Sequence, residues 1–591
     1  MNAARHLLIL GALGLGTLGA SSGCGLGDIA STENGQPSPL EDGEGEGPDG
    51  EIPHALNPAG AQSLCIPPAC QKVPLPASTH ATRLTKLQWE HTMKDLLRLT
   101  AEPGLSSTFP VDPSVSADHF GTEAGDIVVT TSHGKAFQKA AEDLATLVVD
   151  DPIARARILP AGAASGTVAA RITAFVTDFL PRAYRRPVTP GEIAKAVALG
   201  DAAVQTDTTS DPFLIRMKWI LVSLLQSPQV LYRFDLGDVN VKYARVRLDP
   251  YEIAAKLSYA LWDTMPDDQL TEYARTGKLS TKAGVAEVAK EMIASPKANQ
   301  TIATFHDQLM FVWDYEQAKR NPAAFPRYYD EFQAEAMEDI RRTVKDLVID
   351  NPKGTVKDLY SSTTAYVTAK LAPVYDIDPS TVPALVTSPT QFTKVNMDPK
   401  KRIGILMHPG WLAYEAAPKD PSIIRRGAYL ARHLLCVPLG TPPPAAAGVS
   451  VDKSTQPTNR GRVTDVTKTC GDGCHGGPTG IINPLGFSLE HFDSLGAYRD
   501  KDYGNPIDST GSITALGSFD GGVALFEKAA TDPNTHACYA AHWIAFLNGT
   551  RHVDATPKWL TPVVYHSLNG ASVRDIIASL VQTDAFLTVS R

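Results

Sequence analysis

The sequence lacks the short motifs that mark the common enzyme classes. It contains no GxSxG nucleophile elbow, no HExxH helix and no phosphate-binding P-loop. GxGxxG occurs three times, but no copy follows a predicted strand and opens a helix, so we interpret all three as chance matches in glycine-rich sequence. These absences remove the common enzymes and leave open whether the chain has a catalytic activity.

Long apolar runs and excess positive charge are also missing. After residue 20 no stretch of the 591-residue chain is apolar for long enough to cross a bilayer. The net charge of -9 gives no electrostatic argument for a nucleic-acid partner, which requires a basic face. The chain is 43% hydrophobic and 20% charged, as ordinary globular proteins are, and its length predicts several domains.

The N-terminus has the pattern of an export signal. Arg5 precedes a short apolar run at residues 7–20, and "SSGC" follows it. This ending resembles a bacterial lipobox with Cys24 as the lipidated residue, although Ser21 stands where that box normally has leucine, which leaves ordinary cleavage nearby as an alternative. We therefore predict a signal peptide at residues 1–24 and a protein of the periplasm, outer membrane or cell surface, attached to the membrane through its lipid.

The remaining chain is predicted to be mainly α-helical and built of several modules. Residues 25–75 are rich in glycine, proline, serine and acids and predict a flexible tether. Apolar periodicity predicts helical modules at 76–240 and 241–375, with helices starting at Thr189-Pro190 and Asp249-Pro250 and a strand-like run at 364–369. A loop-rich module containing cysteines is predicted at 376–500, and a C-terminal helical module at 501–591.

Six cysteines remain if Cys24 carries lipid, an even number that suits an oxidising compartment. Cys65 and Cys70 flank four residues and are candidates for a small disulfide loop. The other four are Cys436, Cys470, Cys474 and Cys538. Two disulfides among these four allow three pairings, and the sequence does not choose between them.

The stretch "TCGDGCHG" at residues 469–476, which we name the CH motif after Cys470, Cys474 and His475, permits three interpretations. In a c-type haem site the two cysteines bind the haem vinyl groups and His475 binds the iron, although three residues separate the cysteines here instead of the usual two. The alternatives are a disulfide loop and a zinc site, for which no second ligand pair is evident.

A haem iron also needs a distal ligand or an open site. The last methionine, Met407, lies upstream of the CH motif, so the candidates are Met407 and several histidines, chiefly His408 and His491. His536 and His542 are further candidates, but they stand six apart on a predicted helix, and we expect at most one of them to point inward.

Several phrases together resemble one family. They are "LPRAYRRPVTPGEI", "SLLQSPQVLYRFDLG", "YEIAAKLSYALWDTMPDDQL", "RRGAYLARHLLC" and "CHGGPTGIINPLGFSLEHFDSLGAYRD". In this order they resemble the exported planctomycete cytochrome-c-associated multi-module proteins, which also occur in myxobacteria. The resemblance runs from about residue 83 to the C-terminus. It implies modules of unknown function associated with cytochromes, and it implies no particular reaction.

Three functions follow as hypotheses. The first is a cell-envelope lipoprotein that binds haem c at the CH motif and serves a redox or electron-transfer role. The second is a disulfide-stapled surface scaffold or binding module without haem. The third is an envelope enzyme acting on polysaccharide through acids such as Glu490 and Asp493, although a packed turn in which Asp493 bridges to Arg499 explains the same residues. The expected partner is a protein or a polysaccharide.

Overall fold

The computed structural model confirms a mainly α-helical chain. It describes residues 81–112, 115, 120–205, 211–238, 245–317, 319–440, 451, 454–468, 474–475, 480–551 and 558–590. No helix in this part of the chain combines the length and the apolar character needed to cross a bilayer.

The first part of the described chain is a helical bundle. Its helices are α1 (Lys86–Leu96), α2 (Thr131–Asp150), α3 (Pro152–Ile158), α4 (Val168–Tyr184), α5 (Pro190–Val204), α6 (Pro212–Leu225) and α7 (Pro228–Leu231). Strands β1 (Ala81–Arg83) and β2 (Tyr232–Phe234) pair antiparallel and so join the two ends of this segment. Leu144, Phe175 and Leu221 are among the fully buried residues of its core.

The central part packs helices around a two-stranded sheet. The helices are α8 (Pro250–Trp262), α9 (Asp268–Arg275), α10 (Lys282–Ala294), α11 (Lys297–Leu309), α12 (Phe332–Val344), α13 (Val356–Ser361) and α14 (Pro383–Thr387). Strand β3 (Arg245–Arg247) precedes them, and β4 (Thr364–Val367) pairs antiparallel with β5 (Thr393–Asn396). The strand predicted from the alternating run at 364–369 is therefore confirmed.

The last part combines short helices with small hairpins. Its helices are α15 (Pro409–Tyr414), α16 (Ile423–Tyr429), α17 (Asn459–Thr467), α18 (Ile482–Phe487), α19 (Gly521–Ala529), α20 (Pro533–Asn548), α21 (Thr561–Leu568), α22 (Val573–Leu580) and α23 (Asp584–Leu587). Its strands are β6 (Lys501–Asp502), β7 (Asn505–Pro506), β8 (Thr510–Ile513), β9 (Gly517–Asp520) and β10 (Thr588–Ser590).

The two hairpins at 501–520 differ from the helical module predicted to begin at residue 501. Strands β6 and β7 are joined by Tyr503 and Gly504, which both have positive φ angles, 49° and 85°. Two consecutive positive φ angles match a type I′ turn, whose twist suits a tight hairpin. The segment therefore turns back on itself before any helix can form.

Local sequence sets the predicted helix starts. The carboxylate of Asp249 accepts hydrogen bonds from the N–H groups of Tyr251 and Glu252, and the Glu252 side chain accepts one from the Asp249 N–H. Thr189 and Glu192 form the same reciprocal cap on α5. In both helices proline occupies the first turn, where its missing N–H costs nothing. Both predicted starts are confirmed.

The end of the chain completes the core around α8. Strand β10 pairs antiparallel with β3, and Val589 lies opposite Val246 with both side chains buried. The ammonium of Lys256 on α8 donates to the carbonyl of Phe586 at 2.8 Å and lies 3.5 Å from the carboxylate of Asp235. Burial lowers the pKa of Lys256 to about 8.

Candidate functional site

The CH motif lies between α17 and α18, and Cys474 and His475 are its described members. The main-chain carbonyl of Cys474 accepts hydrogen bonds from the N–H groups of Ile481 at 3.1 Å and Ile482 at 2.9 Å. These bonds bring Cys474 to the start of α18, so the following histidine lies beside the first turn of that helix.

Two side chains, those of Asn483 and Thr467, fix the orientation of the His475 ring. The Thr467 hydroxyl donates to the Val463 carbonyl at 2.7 Å and accepts from Nδ2 of Asn483 at 2.9 Å. Because the hydroxyl proton is already used, Asn483 must turn its NH₂ group to Thr467 and its Oδ1 to His475. Nδ1 of His475 lies 3.0 Å from that Oδ1 and therefore donates to it. In the neutral ring this leaves the lone pair on Nε2, the atom that can bind a metal ion.

Sequence analysis missed Thr467 and Asn483. Both side chains are buried and bonded to each other, on α17 and α18 respectively. One signal was present, because Asn483 is the single polar side chain of the apolar helix α18, and a buried amide requires partners. No sequence pattern indicates which partners those are.

Close backbone contact fixes α18 against α16. A Cβ atom on Gly427 would lie 1.9 Å from the carbonyl oxygen of Ile482, and one on Gly486 would lie 2.1 Å from that of Ile423. Neither position has room for a side chain. The two glycines thus let the helix that carries Asn483 rest directly on its neighbour.

Arg426 of α16 holds the segment that follows α18. Its buried guanidinium donates to four main-chain carbonyl oxygens at 2.8 to 3.1 Å, those of Leu412, Leu489, Phe492 and Asp493. Burial lowers the pKa of Arg426 to about 9, so the group stays charged at neutral pH. Sequence analysis did not single out this residue.

The structure pairs Cys436 with Cys538 in a disulfide bond, with Cα atoms 5.3 Å apart. Cys474 is half-buried and its thiol is free. The disulfide therefore joins Cys538 on α20 to Cys436, which follows α16. Cys474 is not part of it. A second bridge involving Cys474, which the two-disulfide interpretation required, is not formed.

An open cleft of about 650 Å³ lies beside α18. Pro484, Phe487 and Phe519 provide its apolar lining. At one side the guanidinium of Arg460 lies over the Phe487 ring, 4.0 Å from its centroid, and donates to the carbonyls of residues 508 and 510. The cleft thus has an aromatic wall beside a guanidinium that is already paired, since Nε of Arg460 lies 3.3 Å from the Asp508 carboxylate, and it adjoins the helix to which His475 is bonded.

The three chief distal candidates each have other contacts. The thioether of Met407 packs against Gly522 and Leu489. Nδ1 of His408 lies 2.9 Å from the Asp339 carboxylate in a fully buried cluster that also contains the Tyr375 hydroxyl. Nδ1 of His491 lies 2.9 Å from the Arg499 carbonyl, and its ring stacks on that of Tyr498.

The two remaining histidine candidates lie on α20. Our expectation that at most one of them points inward is wrong, because α20 is buried around its whole circumference and both side chains are inside. Both ring nitrogens of His536 have partners, the Ser567 hydroxyl and the Ala530 carbonyl. Nε2 of His542 lies 3.4 Å from the sulfur of Cys538.

The acids proposed for a polysaccharide enzyme have structural roles. Oδ1 of Asp493 accepts from the N–H groups of Leu495 and Ala497 and closes a turn. The expected bridge from Asp493 to Arg499 is wrong, since Arg499 pairs with Asp502 at 2.6 Å and approaches Glu490 at 3.8 Å. Burial raises the pKa of Glu490 to about 7 in spite of this nearby charge.

Four predicted residues lie outside the part of the chain that the structure describes. They are Cys24, Cys65, Cys70 and Cys470. The leader, the tether and the loop at Cys65 and Cys70 therefore stay predictions, and so does the Cys470 half of the CH motif.

Four family models match the chain in succession, each described as a protein of unknown function. PSD3 (DUF1587) matches residues 82–150, PSD5 (DUF1595) 171–235, PSD4 (DUF1592) 248–377 and PSCyt3 (DUF1588) 402–502. No curated protein and no solved structure matches the chain. The PSCyt3 match includes the CH motif and all three chief distal candidates. The chain therefore belongs to the multi-module proteins of unknown function that are built from these PSD and PSCyt domains.

Proposed function

We propose that the chain binds a c-type haem at the CH motif and serves a redox or electron-transfer role in the cell envelope. Cys470 and Cys474 are the residues that would bond to the vinyl groups, and Nε2 of His475 is the atom that would bind iron. The observation that carries this proposal is the row of hydrogen bonds from Thr467 through Asn483 to His475, because it leaves Nε2 as the ligand atom.

The other residues around the CH motif suit a haem. Cys474 keeps its thiol, since the disulfide takes Cys436 and Cys538 instead. Next to α18 the cleft offers aromatic surface for an apolar ring. A bound haem supplies one-electron chemistry, while the protein orients the ligand, covers the ring and sets its electrostatic surroundings.

The proposal assigns a protein ligand on the His475 side only. Met407, His408 and His491 are each held by other partners in the described structure. The placement in the envelope rests on the sequence of the leader and the tether, with Cys24 as the predicted lipid attachment site.

The test is a haem assay on chain exported by a host that matures c-type cytochromes. We expect an intact mass increased by one haem and the reduced α-band of a pyridine haemochrome. Cys474→Ser and His475→Ala should each lose covalently bound haem, because each removes a group that the attachment needs.

His566→Gln is the matched control, since His566 is an exposed histidine of the same chain. It should retain haem at the level of the unchanged protein. If the protein without substitutions is colourless and its mass includes no haem, the proposal is wrong.

The disulfide favours a second candidate, a surface scaffold without haem. The bond closes 102 residues of chain, and closing a loop of that length stabilises a fold by about 4–5 kcal/mol. A scaffold predicts a colourless protein whose melting temperature falls on reduction. A melting curve that reductant leaves unchanged would count against it.

A further inference from the structure

We propose that Cys436, Cys538 and His542 form a metal site, separate from the CH motif, that binds Zn²⁺ when the two cysteines are reduced. In the oxidised protein the disulfide bond takes the place of the metal. The ligand class is a divalent cation that prefers sulfur and nitrogen donors, and all three residues of the site are buried.

The distances around His542 already fit tetrahedral zinc. Its Nε2 lies 3.4 Å from the sulfur of Cys538 and 3.8 Å from that of Cys436. With Zn–S near 2.3 Å and Zn–N near 2.0–2.1 Å, a tetrahedral ion separates its sulfur and nitrogen ligands by about 3.6 Å. The three donor atoms lie within 4.8 Å of one another. Only the two sulfurs, joined in the disulfide, have to move apart to admit the ion.

Two independent elements present the ligands. Cys538 and His542 are four residues apart on α20 and thus share one face of the helix. Cys436 comes from the segment after α16, which ends in a π-helical turn at Leu430–Leu434. π-Turns in α-helices are frequent at functional sites.

The backbone of Cys436 is unusual for its residue type. Its φ angle is +50°, and the N–H of Val437 donates back to the carbonyl of Ala431, as in a helix end where glycine is preferred. A residue with a Cβ atom costs about 1–2 kcal/mol in this conformation. The strained backbone aims the sulfur of Cys436 at α20.

The charges balance in a buried site. Cys436, Cys538 and His542 are all buried. Two thiolates and one divalent cation add to zero, with His542 binding as the neutral ring, so that the filled site carries no net charge into the interior. A disulfide beside a neutral histidine is also uncharged, which lets the same surroundings hold either form.

His433 lies beside the three ligands, although it is not among the residues whose donor atoms meet within 4.8 Å. Its ring stacks on that of His542 with centroids 5.5 Å apart, and its carbonyl oxygen lies 3.6 Å from the sulfur of Cys538. The contact also fixes the plane of the His542 ring.

Reduction of the disulfide opens the site to the metal ion. A phosphine reductant takes the oxygen atom of one water and becomes a phosphine oxide, while the disulfide accepts two electrons and two protons and becomes two thiols. Zn²⁺ binding then releases both thiol protons to the solvent. Chain that meets zinc before any oxidation binds it directly, with the same loss of two protons.

The test uses Co²⁺ as a coloured substitute for Zn²⁺ on the full chain, reduced and kept under anaerobic conditions. To exclude thiols of the CH motif, the parent protein carries Cys470→Ser and Cys474→Ser. We expect one equivalent of Co²⁺ to bind, with sulfur-to-metal charge-transfer absorption in the near ultraviolet, and one equivalent of Zn²⁺ to abolish that absorption.

Two variants locate the ion. Cys436→Ser should lose at least half of the charge-transfer intensity. His542→Phe keeps an aromatic ring next to Phe120 and His433 but removes the nitrogen ligand, so it should weaken Co²⁺ binding at least tenfold. Full absorption in both variants, or none in the parent protein, overturns the proposal.

A measurement on the parent protein tests the site without relying on Cys436→Ser or His542→Phe, which could fail to fold. Cys436 and Cys538 in reduced chain are alkylated with and without Zn²⁺, and the modified peptides are quantified by mass spectrometry. The site predicts at least tenfold slower alkylation of both cysteines with Zn²⁺. Equal rates with and without the ion contradict it.

Discussion

Glu415 is a carboxylate whose burial outweighs a nearby positive charge. It follows α15 and is buried, and Nε of Arg425 lies 3.2 Å from its Oε2. Burial raises the pKa of Glu415 to about 7, while Arg425, whose side chain is half exposed, opposes the shift only in part. The structure therefore favours the neutral acid at this position up to near-neutral pH.

The protein should lose stability as the pH rises from 4.5 to 7, because Glu415 must ionise in a buried position. We predict that Glu415→Gln makes this loss smaller. A carboxyl whose pKa is higher in the folded chain stabilises the fold fully below its unfolded pKa of 4.5, and that contribution disappears as the pH rises through 7. The shift corresponds to about 3 kcal/mol. Denaturant unfolding at a series of pH values measures it.

Glu527→Gln, at an exposed position, is the control and should leave the pH dependence of unfolding unchanged. If Glu415→Gln follows the same curve as the unchanged protein, the carboxyl is already ionised at acid pH and the raised pKa is wrong.

The partner of His475 leads to a second prediction at the residue scale. Asn483→Asp keeps an acceptor for Nδ1–H but adds negative charge, which increases the electron donation of the ring to iron. We expect a lower reduction potential for the haem-loaded protein, measured by spectroscopic titration. Asn483→Leu removes the acceptor and should cost about 1–3 kcal/mol of stability. An unchanged potential in the Asp variant would mean that His475 does not bind the iron.

Single residues were predictable where their chemistry is local. Cys474 and His475 were visible as neighbours in the sequence, and the structure keeps them half-buried. The roles of Thr467 and Asn483 depend on α17 lying against α18, which no spacing in the sequence reveals. The predicted partner of Arg499 was wrong for a related reason. Asp493 and Asp502 both lie within six residues of Arg499, and the sequence does not show which of them it contacts.

Among the elements, α18 depends most on its neighbour. We predict that Gly486→Ala destabilises the protein by about 3 kcal/mol, because its Cβ atom would lie 2.1 Å from the carbonyl of Ile423 and force the helices apart. Chemical denaturation measures the loss. The same variant should disturb the orientation of His475, since α18 also carries Asn483.

Gly134→Ala is the matched control, because this glycine lies in the exposed part of α2 with no atom within 4 Å of the added Cβ. It should stabilise the protein by about 0.5–1 kcal/mol through helix propensity. Equal effects of the two alanines would contradict the close packing of α16 and α18.

Elements were predictable where short-range signals set them. The capped starts of α5 and α8 and the strand β4 follow from residues within one turn or one alternating run. The hairpins at 501–520 were missed, although Tyr503-Gly504 offered a turn signal. The disulfide partner was not predictable either, since three pairings fit the sequence equally and only the packing of α20 against the α16 segment selects one.

At the scale of the whole molecule, β3 and β10 come from distant parts of the chain and pair in one small sheet. We predict that Val589→Ala costs about 2 kcal/mol, because this fully buried side chain lies opposite Val246 and its methyl groups leave a cavity. Val386→Ala, at a position 60% exposed, should cost much less. Thermal and denaturant unfolding give both values, and equal costs would mean that β10 is not part of the core.

No sequence pattern predicted this sheet. Its two strands have three residues each, too short for a clear alternation, and Nε of Arg245 donates to the hydroxyl of Thr588, 343 residues away. Pairing over such a distance is decided by the core that α8 shares with the C-terminal helices, and not by either strand alone.

The pairing of β3 with β10 also orders events during biosynthesis. A ribosome that has made the first 500 residues has released β3, α8 and Lys256, but the strand and the carbonyl that they pair with have not yet been translated. Until β10 has been translated, the nascent chain exposes an unpaired strand edge and apolar surface that attract other chains. The core around α8 can therefore close only after β10 has been made.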